Sequence, residues 1–119
     1  MRYVDGFVIP IPKKKLKAYL AIARQAGRVW RDHGALQYCE CSGEDLNPKG
    51  ILPFPKMAKV KKGETVVFSW ILYKSRAHRD RVNAKVMKDP RIASMMGPDD
   101  MPFDPKRMAY GGFTVNVDF

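Results

Sequence analysis

The chain has 119 residues and carries 22 Lys+Arg against 12 Asp+Glu, a formal net charge of +10. Hydrophobic residues make up 45% and charged residues 29%, a globular rather than disordered composition, and the length fits one domain (1–119), since domains cluster at roughly 100–150 residues. No apolar run nears the roughly 20 residues that cross a bilayer, so no membrane association is expected. The start, Met1-Arg2-Tyr3-Val4-Asp5-Gly6, lacks the apolar core of a signal peptide, which points to the cytoplasm.

Tyr3 to Ile9 reads as a strand, with Tyr3, Asp5, Phe7 and Ile9 on one face and Val4, Gly6 and Val8 on the other. Pro10 and Pro12 are expected to stop it, and Pro12 suits the first position of a helix. From Lys13 to His33 the period becomes helical: Leu16, Leu20, Ala23, Gly27 and Trp30 form one stripe, with Lys17, Arg24, Arg28 and Arg31 off it. Gly27 inside a helix costs about 1 kcal/mol relative to Ala, and the expected return is close approach to a sheet. Gly34 supplies a left-handed cap.

Leu36 to Ser42 is a second strand, with Gln37, Cys39 and Cys41 opposite Tyr38, Glu40 and Ser42. Gly43 to Pro55 is a loop rich in Gly and Pro, and Met57 to Val60 reads as a short strand. Thr65 to Tyr73 is a strong strand, apolar on both faces, whereas a sheet with one wet face would alternate with polar residues. Ser75 is a good N-cap for a second helix running to about Lys88, with inner stripe His78, Val82 and Val86, and Asp89-Pro90 ends it. Arg91 to Met96 fits one more helical turn, and Gly97 to Lys106 is irregular. A last strand, Met108 to Asp118, holds Gly111-Gly112, a signal for a bulge or a close backbone approach.

The order strand, helix, strand, strand, helix, strand is the split βαβ, ferredoxin-like arrangement. It is an α+β fold with a four-stranded antiparallel sheet and both helices on one face. That topology leaves the other face bare. Since the strands are apolar on both sides, pairing two copies sheet to sheet, as a homodimer with two-fold symmetry, is the simplest way to cover it.

Several strings resemble one family: Tyr3-Val4-Asp5-Gly6-Phe7, Gly27 to Gly34, Val66 to Ile71, Lys74 to Asp80 continuing to Met87, and Met101-Pro102-Phe103-Asp104 followed by Arg107 to Phe113. Together they resemble the YbaA-like family of small proteins of unknown function over essentially the whole chain. The resemblance implies the dimeric α/β-barrel superfamily, in which ferredoxin-like protomers dimerise through their sheets and ligands lodge between sheet and helices. It brings no established reaction and no catalytic residues.

Three polar positions stand out among apolar neighbours. Asp5 shares a strand face with Tyr3, Phe7 and Ile9, where a carboxylate is costly unless paired; an Arg, within the chain or across a dimer, is the expected partner. His78 lies on the inner stripe of the second helix, and Glu40 shares a face with Tyr38. With Trp30, Trp70 and Tyr110 these could line one pocket for a small molecule. If catalysis occurs, His78 is the candidate base, because its ordinary pKa is near 6.5, and Asp5 is its charge partner.

The plainer readings place His78 as a capping or packed histidine, His33 as a cation at a helix C-terminus, and Arg76, Arg79 and Arg81 with Asp80 on a solvated face. No metal or cofactor is expected. Cys39 and Cys41 lack the companions of a zinc site and read as small buried side chains. There is no Gly-rich phosphate loop, two-His helix motif or Ser-His-Asp pattern. The basic surplus leaves RNA or another polyanion as the alternative partner, although no aromatic-interleaved basic stripe is present.

Overall fold

The computed structural model describes residues 1–95 and 101–119; of the stretch read above as a helical turn and irregular chain, residues 96–100 lie outside the described residues. In chain order the elements are β1 (Tyr3–Pro12), α1 (Leu16–Asp32), β2 (Gln37–Ser42), the single turn α2 (Phe54–Met57), β3 (Glu64–Tyr73), α3 (Arg76–Met87), α4 (Pro90–Met95) and β4 (Ala109–Thr114). Short 3-10 turns at Lys13–Lys15 and Pro105–Arg107 precede α1 and β4. The strands form one four-stranded antiparallel sheet in the order β2-β3-β1-β4, an α+β arrangement of the ferredoxin-like type.

β1 runs through both prolines, contrary to the expectation that they stop it. Pro10 and Pro12 lie opposite Val66 and Glu64 of β3, while pairing with β4 ends at Val8. The next residue in the chain with an odd number, Lys13, donates its backbone N–H toward the β3 side, to the Gly63 carbonyl at 2.9 Å. The missing N–H groups of Pro10 and Pro12 therefore fall on the side β4 has left free, where a proline costs no ladder bond.

Alternation along β3 divides the molecule. Val67, Ser69, Ile71 and Tyr73 are buried, whereas on the opposite side of the strand Phe68 is 44% exposed with the Phe54 ring of α2 6.2 Å away, Trp70 and Leu72 are half-buried, and only Val66 is buried. Tyr19 and Ala23 of α1 pack with Ile9, Ile11 and Val67. Val82 and Val86 of α3, Val29 of α1 and Ile92 of α4 pack with Ile71 and Tyr73. Gly27 does bring α1 close: a Cβ there would stand 2.7 Å from the Tyr38 ring. Gly34 takes φ +112° after the helix, in the region that favours glycine.

Other expectations need correction. Tyr19, off the anticipated α1 stripe, is among the buried residues of that helix. The short strand expected at Met57–Val60 is instead the end of α2 and a loop, with Lys59 at φ 53°. β4 stops at Thr114, and Gly111-Gly112 pair in unbulged register with Gly6 and Asp5. Close approach is what Gly112 provides, since a Cβ there would stand 2.7 Å from the Tyr3 ring. Cys39 is half-buried and Cys41 exposed, both as free thiols; they occupy the side of β2 opposite Tyr38 and Glu40. Among the described residues no helix is long and apolar enough to cross a membrane.

Candidate functional site

A cavity of about 480 Å³ lies between the sheet and the helices, within the range typical of small-molecule sites. Its walls are mainly apolar, with Phe7, Ile9 and Ile71 from the strands and Ala23, Ala26 and Trp30 from α1 among the lining residues. Three polar groupings interrupt this surface.

The first centres on Asp5, which is 1% exposed. One oxygen, Oδ1, accepts from Arg79 Nη1 at 2.9 Å and from the Tyr110 hydroxyl at 3.1 Å. The same Arg79 nitrogen donates to the Tyr110 oxygen at 2.6 Å. Arg79 also contacts Asp80 at 2.9 Å, and its guanidinium carbon stands 5.0 Å from the Tyr3 ring centroid. A buried carboxylate is tolerable only with such a cation and hydrogen bonds. Burial, and then the Asp5 charge, push the Tyr110 phenol above its ordinary value.

The second grouping fixes the α3 side. Asn83 Oδ1 accepts from Trp30 Nε1 at 3.0 Å and from the Tyr73 hydroxyl at 3.3 Å. The third is Glu40, opposite Ser69 in the sheet. Its Oε1 accepts from the Tyr19 hydroxyl and its Oε2 from the Tyr38 hydroxyl, each at 2.7 Å. Burial, and then the neighbouring Glu40 charge, push both phenols well above the usual tyrosine range.

Of the residues singled out in the sequence, Asp5, Trp30, Glu40 and Tyr110 line the cavity. His78 does not, and it does not meet Asp5. Ser75 caps α3 by accepting from the His78 backbone N–H at 3.1 Å, and the imidazole folds back so that Nδ1 accepts from the Lys74 N–H at 3.0 Å. The ring then stands edge-on to Tyr73. Burial, then the nearby Lys74, Arg81 and Lys85 charges, lower its pKa.

The inward position is the next residue, Arg79. It was read as part of a solvated face, yet it takes the place beside Asp5 that was assigned to His78. Trp70 is also outside the cavity, on the other side of the sheet, where its ring lies 5.8 Å from that of Phe68. His33 ends α1 with Nε2 2.8 Å from Asp89, an ion-pair geometry when the ring is charged.

Sequence reasoning missed Arg79, Tyr19 and Asn83. A signal for Arg79 was present: it stands three residues before Val82, hence on the same helix side, and Asp5 required a cation. Among the described residues no group of three or more His, Cys, Asp or Glu side chains gathers in metal-binding geometry.

Sheet order, helix packing and the interior cavity define the class: an α+β protein of ferredoxin-like type. The chain belongs to the family described as "Protein of unknown function (DUF1428)", whose profile matches residues 2–105. It is 42% identical over 118 residues to the uncharacterized protein YbaA of Escherichia coli strain K12, covering 99% of both chains. The uncharacterized protein YbaA of Shigella flexneri shows the same 42% identity and the same coverage. Among solved structures, an uncharacterized NIPSNAP domain protein from Burkholderia xenovorans superposes with a TM-score of 0.58 at 13% identity, covering 97% of this chain and 95% of that one. At that identity the likeness concerns the fold alone.

Proposed function

We propose that the protein binds an elongated, largely apolar small molecule in the cavity between sheet and helices, and does so as a homodimer paired through the open sheet face. The observation that carries the binding reading is the cavity itself: about 480 Å³ of mostly apolar wall, with hydrogen-bonded polar groups at Asp5 and at Glu40. From the register, the Asp5 and Glu40 Cα atoms are two strands and two residues apart, about 12 Å by standard sheet spacing. A ligand spanning that distance would meet a polar group at each end and apolar side chains between.

Binding rather than turnover is what this geometry supports. The polar groups are tied to one another, and His78, the side chain suited to proton transfer near neutral pH, is engaged at the start of α3. Homodimerisation is supported by the open face, where Phe68 and Phe113 are 44% and 59% exposed; a patch of that kind marks an interaction surface.

Native mass spectrometry of the protein purified from its own host tests both parts. The expected species is a dimer carrying small-molecule mass. Ala26→Phe, which fills the cavity, should lose that mass. Ligand-free protein, or mass retained unchanged in Ala26→Phe, would overturn the binding reading.

A second reading, a polyanion partner, rests on one feature. Arg24, Arg28 and Arg31 line a groove of about 570 Å³ beside α1 that shares Ala23, Tyr38 and Glu40 with the cavity. It predicts RNA affinity that falls steeply with added salt, and no electrophoretic shift at low salt would end it.

A further inference from the structure

The carboxylates of this chain are not equally provided for. Asp5 has Arg79 at 2.9 Å, Glu64 has Arg107 at 2.7 Å, and Asp89 has Arg91 at 2.8 Å. Glu40 has two phenols and, among the described residues, no ion pair with any Lys, Arg or His. Both of its oxygens accept, one from Tyr19 and one from Tyr38, an arrangement that matches the ionised form, which offers about four acceptor positions. Two of these are taken and two remain. With Asp5 neutralised by Arg79, Glu40 is the one lining carboxylate of the cavity without an ion pair among the described residues, although Arg24, Arg28 and Arg31 line a groove that it also borders.

The aromatic rings around it match this need. Tyr38 stands 6.0 Å from Trp30, centroid to centroid, and Tyr19 stands 5.6 Å from Phe103; all four rings line the cavity. The Trp30 indole is held by its bond to Asn83, and the two phenols by their bonds to Glu40, so little ordering is left to be done when a ligand arrives. Aromatic faces beside a carboxylate form a receptor for an ammonium group, which donates to the carboxylate while the ring quadrupoles attract its charge. The apolar wall beyond, with Phe7, Ile71 and Ala26, takes a hydrocarbon or aromatic body.

From this geometry we propose that the cavity selects an organic cation: an amine whose ammonium docks on Glu40 between Tyr19 and Tyr38, and whose apolar body runs toward Asp5. The proposal rests on the cavity reading above and names the ligand class for that same site.

Three probes of matched shape test it at pH 7: 4-phenylbutylamine, 4-phenylbutan-1-ol and 4-phenylbutanoate, titrated calorimetrically into the intact protein. The amine is expected to bind about tenfold or more tightly than the other two, the ratio that one charge-assisted hydrogen bond supplies. In Glu40→Gln, which keeps the side-chain shape, the amine should lose about that factor and the alcohol should keep its affinity. Equal affinities of amine and alcohol, tighter binding of the carboxylate, or an amine preference that survives in a folded Glu40→Gln would overturn the proposal while leaving a cavity that binds small molecules. Binding of none of the three would remove the cavity reading and this inference with it. Should Glu40→Gln fail to fold, the rank order of the three probes on the unaltered protein still decides.

Discussion

The two faces of the sheet are built from alternate residues of the same strands and have opposite compositions. The face under α1 and α3 presents Asp5, Glu40 and Ser69 among Ile9, Val67 and Ile71, and every one of these polar side chains lines the cavity. The other face presents Val4, Val8, Phe68, Trp70, Leu72 and Phe113, with a carboxylate only at its end, Glu64 opposite Pro12. A lone globular domain places its charge outward and its apolar groups inward; here the charge is inside, beside a cavity, and the exposed face is apolar. The covered face is a lined container whose charges are matched one by one, with Glu40 as the exception. The open face has the character of a core cut in half.

The largest expected effect breaks the open face. Phe68→Asp puts a carboxylate where two copies are proposed to meet, and burying it unpaired costs on the order of several kcal/mol per copy. Sedimentation should then show a monomer whose far-ultraviolet circular dichroism is unchanged. A dimer as tight as that of the unaltered protein would mean that the apolar face is not the interface.

The next effect sharpens the covered face. Asp5→Ala leaves the Arg79 guanidinium, 14% exposed, without its buried counter-charge, which should cost about 3 kcal/mol or more in urea unfolding. Replacing both, Asp5→Ala with Arg79→Met, should recover part of the loss. A loss below about 1 kcal/mol would place this pair with exposed ones, which are worth that little.

The smallest effect lies at the end of the open face, where Glu64 falls in line with Val66 and Phe68. Glu64, at the start of β3, is held at about 2 rather than its ordinary 4.5, first by its hydrogen bond with Arg107. Because its folded pKa is depressed, its contribution is fully present above about 4.5 and is lost as pH falls toward 2. Glu64→Gln should therefore flatten the melting temperature against pH in that window and leave the profile above pH 5 parallel to that of the unaltered protein. An undiminished slope would assign the acid sensitivity to other carboxylates.

Much of this was legible along the chain, and the misses have physical causes. The Ser75 cap, the Gly34 turn, the approach at Gly27 and the alternation of β2 and β3 are local properties, set by glycine's missing Cβ, by hydroxyl geometry and by a period of two. Asp5 could be identified because a carboxylate on an apolar strand face must find a partner. Its partner could not be identified with equal ease. Whether His78 or Arg79 turns inward depends on a rotation of α3 by one residue, about 100°, and that rotation is set by how Val82 and Val86 seat against Ile71 and Tyr73. Pro10 and Pro12 misled for a related reason: a proline ends a strand only where its N–H is needed, and that depends on where β4 stops pairing.

The chain by itself determined the order and kind of its four strands and two long helices, its two apolar strand faces and the carboxylates able to carry charge into an interior. Those follow from periodicity and side-chain chemistry, which act over a few residues. The tertiary structure decided which charges meet, since ion pairs such as Asp5–Arg79 join positions far apart in sequence. It also decided that Glu40, already beside Tyr38 on one strand face, meets Tyr19 rather than a cation, because packing of α1 on β2, permitted by the absent side chain at Gly27, brings that phenol within hydrogen-bond distance.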